Sequence, residues 1–212
     1  FEKAVLSVIN QKMTNIERSI VDDCSYDGTF DLIKYFMKQD KRISCIRHSK
    51  NIGLPAISTF EAYQKSRGKY LAFIFDDNEW DSEFLQKTIV FMERKKVKAS
   101  YGIIRGYGKD GSYVDFGSKD YIGNLSLLDL RWTNFIGNGG VVLHKDVIDK
   151  VGWYDPHITL TRLCDWDLWL RVSNSFIFER TDIFAGYEWG ATLDDSLGNS
   201  VMLSHWTSWE QA

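Results

Sequence analysis

Asp76 and Asp77 stand side by side directly after Tyr70-Leu71-Ala72-Phe73-Ile74-Phe75, and Asn78-Glu79-Trp80 follow them. Six mostly apolar residues, aromatic and β-branched among them, read as a strand buried on both faces. Carboxylates are costly to bury, which puts this pair at the strand's carboxyl end. In an open α/β sheet ligands bind at that end, and two adjacent carboxylates there suit a divalent cation bridging to phosphate oxygens. The plainer alternative is a strand that ends in a polar turn, with Asp81 capping the next helix. Two further acidic groups invite the same question. Ile16 to Val21 reads as a short strand running into Asp22-Asp23-Cys24-Ser25-Tyr26-Asp27-Gly28-Thr29. Asp165 and Asp167 lie in Cys164-Asp165-Trp166-Asp167-Leu168-Trp169, near a helix start, where the helix dipole alone favours acidic residues.

These groups need elements to hold them. Phe1, Ala4, Val5, Val8 and Ile9 share one helical face from the first residue, with no capping residue ahead, so we expect a missing segment before Phe1. After the first acidic strand end, Phe30, Ile33, Phe36 and Met37 line one side of a helix, and Ile43 to Ile46 is a third apolar run. Pro55 sits where a helix's first turn accepts it, and Gly68 is a plausible stop. Strands alternating with helices of this length predict a parallel, doubly wound sheet. A strand ahead of Phe1 would lie between the Ile16–Val21 strand and the Asp76 strand, and its absence would leave two rows of backbone groups unpaired.

Beyond Trp80, Asp81 to about Lys96 reads as a helix, and Tyr101 to Phe116 as a hairpin around Lys109-Asp110-Gly111. Gly137-Asn138-Gly139-Gly140 opens the strand Val141 to Leu143 and either makes a turn or lets a ligand approach the backbone. Leu163, Trp166, Leu170 and Asn174 fall on one helical face, Phe176 to Phe178 is a strand, and the tail from Thr192 is a loop with a short amphipathic helix.

A chain of 212 residues can bury one core, and a net charge of -3 leaves no footprint for nucleic acid or an anionic membrane. Aromatic residues make up 15%, including eight Trp, which suits sugars and nucleobases but also simply a core. Three cysteines at no metal-ligand spacing fit a reducing compartment, and no apolar run has the length of a membrane span. His48 and His144 lie beside or within strands and read as structural, whereas His205, in the tail, is the histidine to test as a metal ligand.

Four segments in order resemble the motifs of family-2 glycosyltransferases with the GT-A fold. Val21-Asp22-Asp23-Cys24-Ser25-Tyr26-Asp27-Gly28-Thr29 is similar to V-D-D-G-S-x-D-G-T, and Asn51-Ile52-Gly53-Leu54-Pro55-Ala56 to N-x-G-x-x-A. Phe75-Asp76-Asp77 stands where the family has D-x-D, and Cys164-Asp165-Trp166-Asp167-Leu168-Trp169 where it has E-D-x-D-L-W. The resemblance implies an α/β, Rossmann-like, doubly wound and mainly parallel sheet with a smaller acceptor-side region. It implies one domain over 1–212, truncated at its N-terminus, with about 1–80 as the nucleotide-sugar-binding half and about 81–212 as the acceptor-binding and catalytic-base half.

It further implies an inverting, hexosyltransferase-type enzyme of polysaccharide biosynthesis in the cytoplasm. Asp22, Asp23, Asp76 and Asp77 would bind the donor, most often a UDP-sugar, with Asp23 on the nucleobase. Asp77, helped by Asp76, would hold Mn2+ or Mg2+, since Phe75 occupies the place of the first Asp of D-x-D. Asp165 would be the general base toward a hydroxyl of a glycan or lipid-linked acceptor. A nucleotide-sugar-binding module without turnover is one alternative. A sugar-phosphate nucleotidyltransferase is another, but it would want a Gly-rich basic loop near the start, and none is visible here.

Overall fold

The computed structural model describes residues 1–108, 110–157 and 163–189; the tail read as a loop and short helix, with His205, lies outside them. The apolar face that begins at Phe1 becomes helix α1 (Glu2–Ile9). Phe1, Val5 and Ile9 pack with Ile20, Phe36 and Ile43, whereas Val8 turns toward a second cluster around Trp80 and Phe84. Strand β1 (Arg18–Asp22), helix α2 (Thr29–Gln39) and strand β2 (Ile43–Arg47) form a β-α-β unit with parallel pairing, as the alternation predicts. Helix α3 (Pro55–Lys65), with Pro55 in its first turn, lies against β1.

Arg18 joins these parts. Its guanidinium pairs with Asp40 at 2.5 Å and donates to the Val8 carbonyl at 3.1 Å and the Ile9 carbonyl at 3.3 Å, with only 4% of its side chain exposed. Asp40 keeps a second partner in Arg42, so the larger loss on truncating Arg18 falls on the orphaned carbonyls and the buried ion pair. Arg18→Ala should therefore lower unfolding stability by about 3 kcal/mol, read as an earlier midpoint in urea with an unchanged slope.

The second sheet has the order β3–β7–β5–β8–β4, with β6 on β5. Its strands are β3 (Tyr70–Ala72), β4 (Asn78–Trp80), β5 (Ala99–Tyr107), β6 (Tyr113–Phe116), β7 (Val141–His144) and β8 (Phe178–Trp189). The long β5–β8 pairing is parallel, and the shorter pairings around it are antiparallel. Helix α4 (Phe84–Lys95) covers one face with Phe84, Leu85 and Met92; α6 (Lys145–Val151) and α7 (Cys164–Ser175) build the main core on the other with Val147, Leu168, Trp169 and Val172. The short helix α5 (Lys119–Ile122) and a 3-10 turn at Leu127–Arg131 follow the hairpin.

Several expectations are corrected. The Tyr70–Phe75 run is a strand only as far as Ala72 and is half-buried, because β3 is the edge of its sheet and pairs with β7 alone. Asn78-Glu79-Trp80 is itself a strand, paired with β8. The strand expected at Phe176–Phe178 begins at Phe178 and runs twelve residues. The buried face of α7 is Cys164, Leu168, Trp169 and Val172, not the stripe through Leu163 and Asn174. β1 and β3 lie in different sheets, so among the described residues no ladder joins the two. A polar link crosses there instead: the Glu17 carboxylate accepts from the amides of Arg67 and Gly68, the latter at 2.8 Å.

Candidate active site

The Asp76-Asp77 pair occupies the tip of a tight turn between β3 and β4. The Asn78 amide donates to the Phe75 carbonyl at 3.1 Å, and the Phe75 amide donates back to Asn78 Oδ1 at 3.3 Å. Asn78 is buried and also donates Nδ2 to Asp77 Oδ1 at 3.2 Å, so one amide side chain shapes the turn and steers the carboxylate. Below the turn, Trp80 Nε1 donates to the Gly139 carbonyl at 2.7 Å. A Cβ on Gly139 would lie 2.7 Å from Asn78 Oδ1, so the Gly137–Gly140 run serves close packing under the turn. Asp81 accepts from the Glu83 amide at 2.9 Å in the turn ahead of α4, but the N-cap of that helix is Glu83, not Asp81 as the plainer alternative had it.

β8 brings in a carboxylate that the sequence analysis missed. Asn78 faces Glu188 in the β4–β8 register, and the Trp189 amide donates to the Asp77 carbonyl at 2.8 Å. The detectable signal was the alternation Tyr187-Glu188-Trp189, but with the strand read as ending at Phe178 it had no face to be assigned to. Asp165, in the first turn of α7, accepts its own neighbour's amide, Trp166 N, at 2.8 Å. Asp167 faces elsewhere, paired with Arg171, which also donates to the Val151 and Trp153 carbonyls. The Trp166 indole fixes the helix to the 3-10 turn through the Leu130 carbonyl at 2.5 Å.

Electrostatics shows which carboxylates act on one another. Burial, then the charge of Asp76, pushes Asp77 up to about 6. Burial pushes Asp165 up to about 6. Glu188 is pushed up to about 7 by burial, then by Asp77 and by Asp165, so it links the β3–β4 turn to the α7 start. Excess negative charge at the end of a sheet is suited to a cation or to a proton in transfer. Among the described residues no group of three His, Cys, Asp or Glu side chains is arranged to hold a metal ion. Asp76 and Asp77 are a two-carboxylate pair, which fits Mg2+ or Mn2+ when phosphate oxygens and water complete the shell.

Asp22 and Asp23 form a second constellation at the end of β1. Asp22 is fully buried: its Oδ1 accepts from the Ser25 amide and hydroxyl, at 3.0 and 2.5 Å, and its Oδ2 lies 3.3 Å from Arg47 Nε. Asp23 is partly open and accepts from His48, Ile52 and Gly53. Burial alone would raise its pKa, but the His48 hydrogen bond and the two amides bring it below the ordinary carboxylate value.

Comparison with known proteins adds to this geometry. The sequence profile described as Glycosyl transferase family 2 matches residues 1–152. TuaG of Bacillus subtilis (strain 168), named for teichuronic acid biosynthesis, is 33% identical over 114 residues, covering 54% of this chain and 45% of that protein. WfaP of Escherichia coli, named as a UDP-Glc:alpha-D-GlcNAc-diphosphoundecaprenol beta-1,3-glucosyltransferase, is 28% identical over 184 residues, 83% of this chain and 66% of that one. S. aureus TarS, solved in complex with UDP-GlcNAc, superposes with a TM-score of 0.74 at 14% identity, over 95% of this chain and 57% of that one. The mannosyltransferase PcManGT from Pyrobaculum calidifontis, solved with GDP-Man and Mn2+, superposes with a TM-score of 0.67 at 15% identity, over 88% and 52%. At such identities the likeness shows the fold, which is GT-A.

Proposed function

Because this chain belongs to glycosyl transferase family 2, we propose that it moves a sugar from a uridine diphosphate donor to a hydroxyl of a glycan or lipid-linked acceptor, inverting the anomeric carbon. The observation that carries the reading is the placement of Glu188 beside the Asp76-Asp77 turn, fixed by the β4–β8 register and the Trp189 amide on the Asp77 carbonyl, with the charge of Asp165 also bearing on Glu188. Asp23 and the Ile52-Gly53 backbone hold the nucleobase, and Asp22 supports them by fixing the Ser25 loop. Asp77, with Asp76, would hold Mn2+ or Mg2+, and when bound that cation would neutralise the charge that develops on the leaving diphosphate without needing a proton.

Asp165 takes the proton from the acceptor hydroxyl as its oxygen attacks the anomeric carbon from the face opposite the diphosphate. A carboxylate held near pH 6 by burial is a better base than one left at its ordinary value, and it is ionised at neutral pH. Glu188, raised to about 7 by burial and then by Asp77 and Asp165, is the carboxyl on which the charges of both bear. Turnover is favoured over a binding module, since the relatives are named transferases. Among the described residues no helix is long and apolar enough to cross a membrane, and a cytoplasmic site of action belongs to this reading as the expected place of a nucleotide-sugar donor.

The test is calorimetric titration of UDP, UDP-glucose and UDP-galactose, with and without Mn2+, into the intact protein and Asp77→Ala. Binding that needs Mn2+ and falls by about a hundredfold in Asp77→Ala is the expected result. Equal binding by the variant would remove Asp77 from the donor site.

A further inference from the structure

We propose that His48 is the positioning residue of the nucleotide site, holding the Asp23 carboxylate and the Ile52-Gly53 backbone in the arrangement that receives the donor's nucleobase. The inference rests on the reading of Asp23 as a donor-binding residue. His48 follows the last residue of β2, and its amide extends the ladder by donating to the Asp22 carbonyl at 3.0 Å. Its ring is 8% exposed, with a carboxylate on each nitrogen: Nδ1 lies 2.7 Å from Asp23 Oδ1, and Nε2 lies 3.0 Å from Glu61 Oε2. Only the imidazolium can donate to both; the neutral ring donates to one and turns a lone pair on the other.

The connectivity explains why one side chain matters. Asp23 Oδ1 is shared by His48 and the Ile52 amide at 2.9 Å, and Oδ2 accepts from the Gly53 amide at 2.8 Å. Gly53 has φ +66°, a left-handed conformation that turns its amide onto the carboxylate. Glu61 lies on α3, the helix that this same loop leads into. The circuit therefore runs from the β1 end through Asp23, His48 and Glu61 into α3, and back through the loop to Asp23. Removing the proton from His48 opens one link of it. Asp23, first, and Glu61 raise the pKa of His48 against the opposing effect of burial, and they are the charged groups that bear on the ring. The link is thus closed below that raised value and opens as pH rises through it.

The experiment is calorimetry of UDP with Mn2+ on the intact protein, His48→Gln and Glu61→Gln, from about pH 6 to about pH 9. Wild type should hold its affinity at about pH 6 and lose it along a limb as pH rises. His48→Gln should bind about tenfold more weakly at that low pH, with no such limb and with kcat at saturating donor unchanged. Glu61→Gln should bind like wild type at pH 6 and lose affinity at a lower pH, because the imidazolium has lost one of its carboxylates. Binding by His48→Gln within twofold of wild type across the range, or an unmoved limb in Glu61→Gln, overturns the proposal and leaves the donor site standing. Should His48→Gln not fold, Glu61→Gln decides alone. If wild type binds no uridine nucleotide, the donor reading falls and the assignment of His48 falls with it.

Discussion

Asp165→Asn should lower sugar transfer by about 10²- to 10⁴-fold while donor affinity stays within about twofold, as expected for a group that acts only on the attacking hydroxyl. The asparagine keeps the size of the side chain and its contact with the Trp166 amide, so the α7 start is preserved. In wild type the rate should fall as pH drops below about 6, where burial makes Asp165 hold its proton; the variant has no such limb to lose. Stability provides an independent sign. A carboxyl whose folded pKa lies above its unfolded value stabilises most below the unfolded value, and that contribution is lost as pH rises through the folded one. Asp165→Asn should therefore raise the melting temperature at pH 7 relative to wild type and leave it nearly unchanged near pH 4. A variant that loses transfer and is destabilised at pH 7 would point to a structural role instead.

Gly186→Ala should be the most damaging glycine-to-alanine change among the described residues. Gly186 lies opposite Trp80 in the β4–β8 register with φ +149°, and an added Cβ would sit 2.0 Å from the Glu79 carbonyl oxygen and 2.8 Å from Trp80 Cα. Both are backbone atoms, so no side-chain rotation relieves the overlap and the strands must part. The cost should be about 3 kcal/mol or more, a large fraction of what a domain has to lose. Urea denaturation of Gly186→Ala beside Gly111→Ala measures it. Gly111 has φ +81° but open space around its missing Cβ, so that control should lose only about 1 kcal/mol. Equal losses would mean that conformation rather than contact sets the cost. Because β4 carries Asn78 and β8 carries Glu188, parting them should also weaken donor binding in whatever fraction stays folded.

Local pattern reached the first eighty or so residues well. The β1-α2-β2 unit, the first turn of α3 and the polar clusters after each strand are set by neighbours within a few residues, which periodicity and turn chemistry report. The turn at Asp76-Asp77 was legible as an acidic chain reversal, but not as an edge: whether a six-residue apolar run is central or marginal depends on partners far along the chain, here only β7. Glu188 was lost for the same reason. The extent of β8 is decided by its ladders with β4 and β5, not by residues 176–178, so the alternation that points Glu188 inward had no frame. His48 reads from the sequence as structural, but its two carboxylates come from thirteen and twenty-five positions away, and no local rule joins them.

The β5–β8 ladder bears on synthesis. β5 leaves the ribosome some seventy residues before the strand that lines its whole parallel edge, and β6 and β7 cover only the other edge in the interval. At about 5–20 residues per second, that edge waits seconds with its amides and carbonyls unpaired beside a forming core, the circumstance in which nascent chains associate edge to edge. The strand that ends the wait also delivers Glu188 and bonds Trp189 to Asp77. The chain is therefore at its most aggregation-prone until the residues of β8 have emerged, and protection from chaperones should matter most in that window.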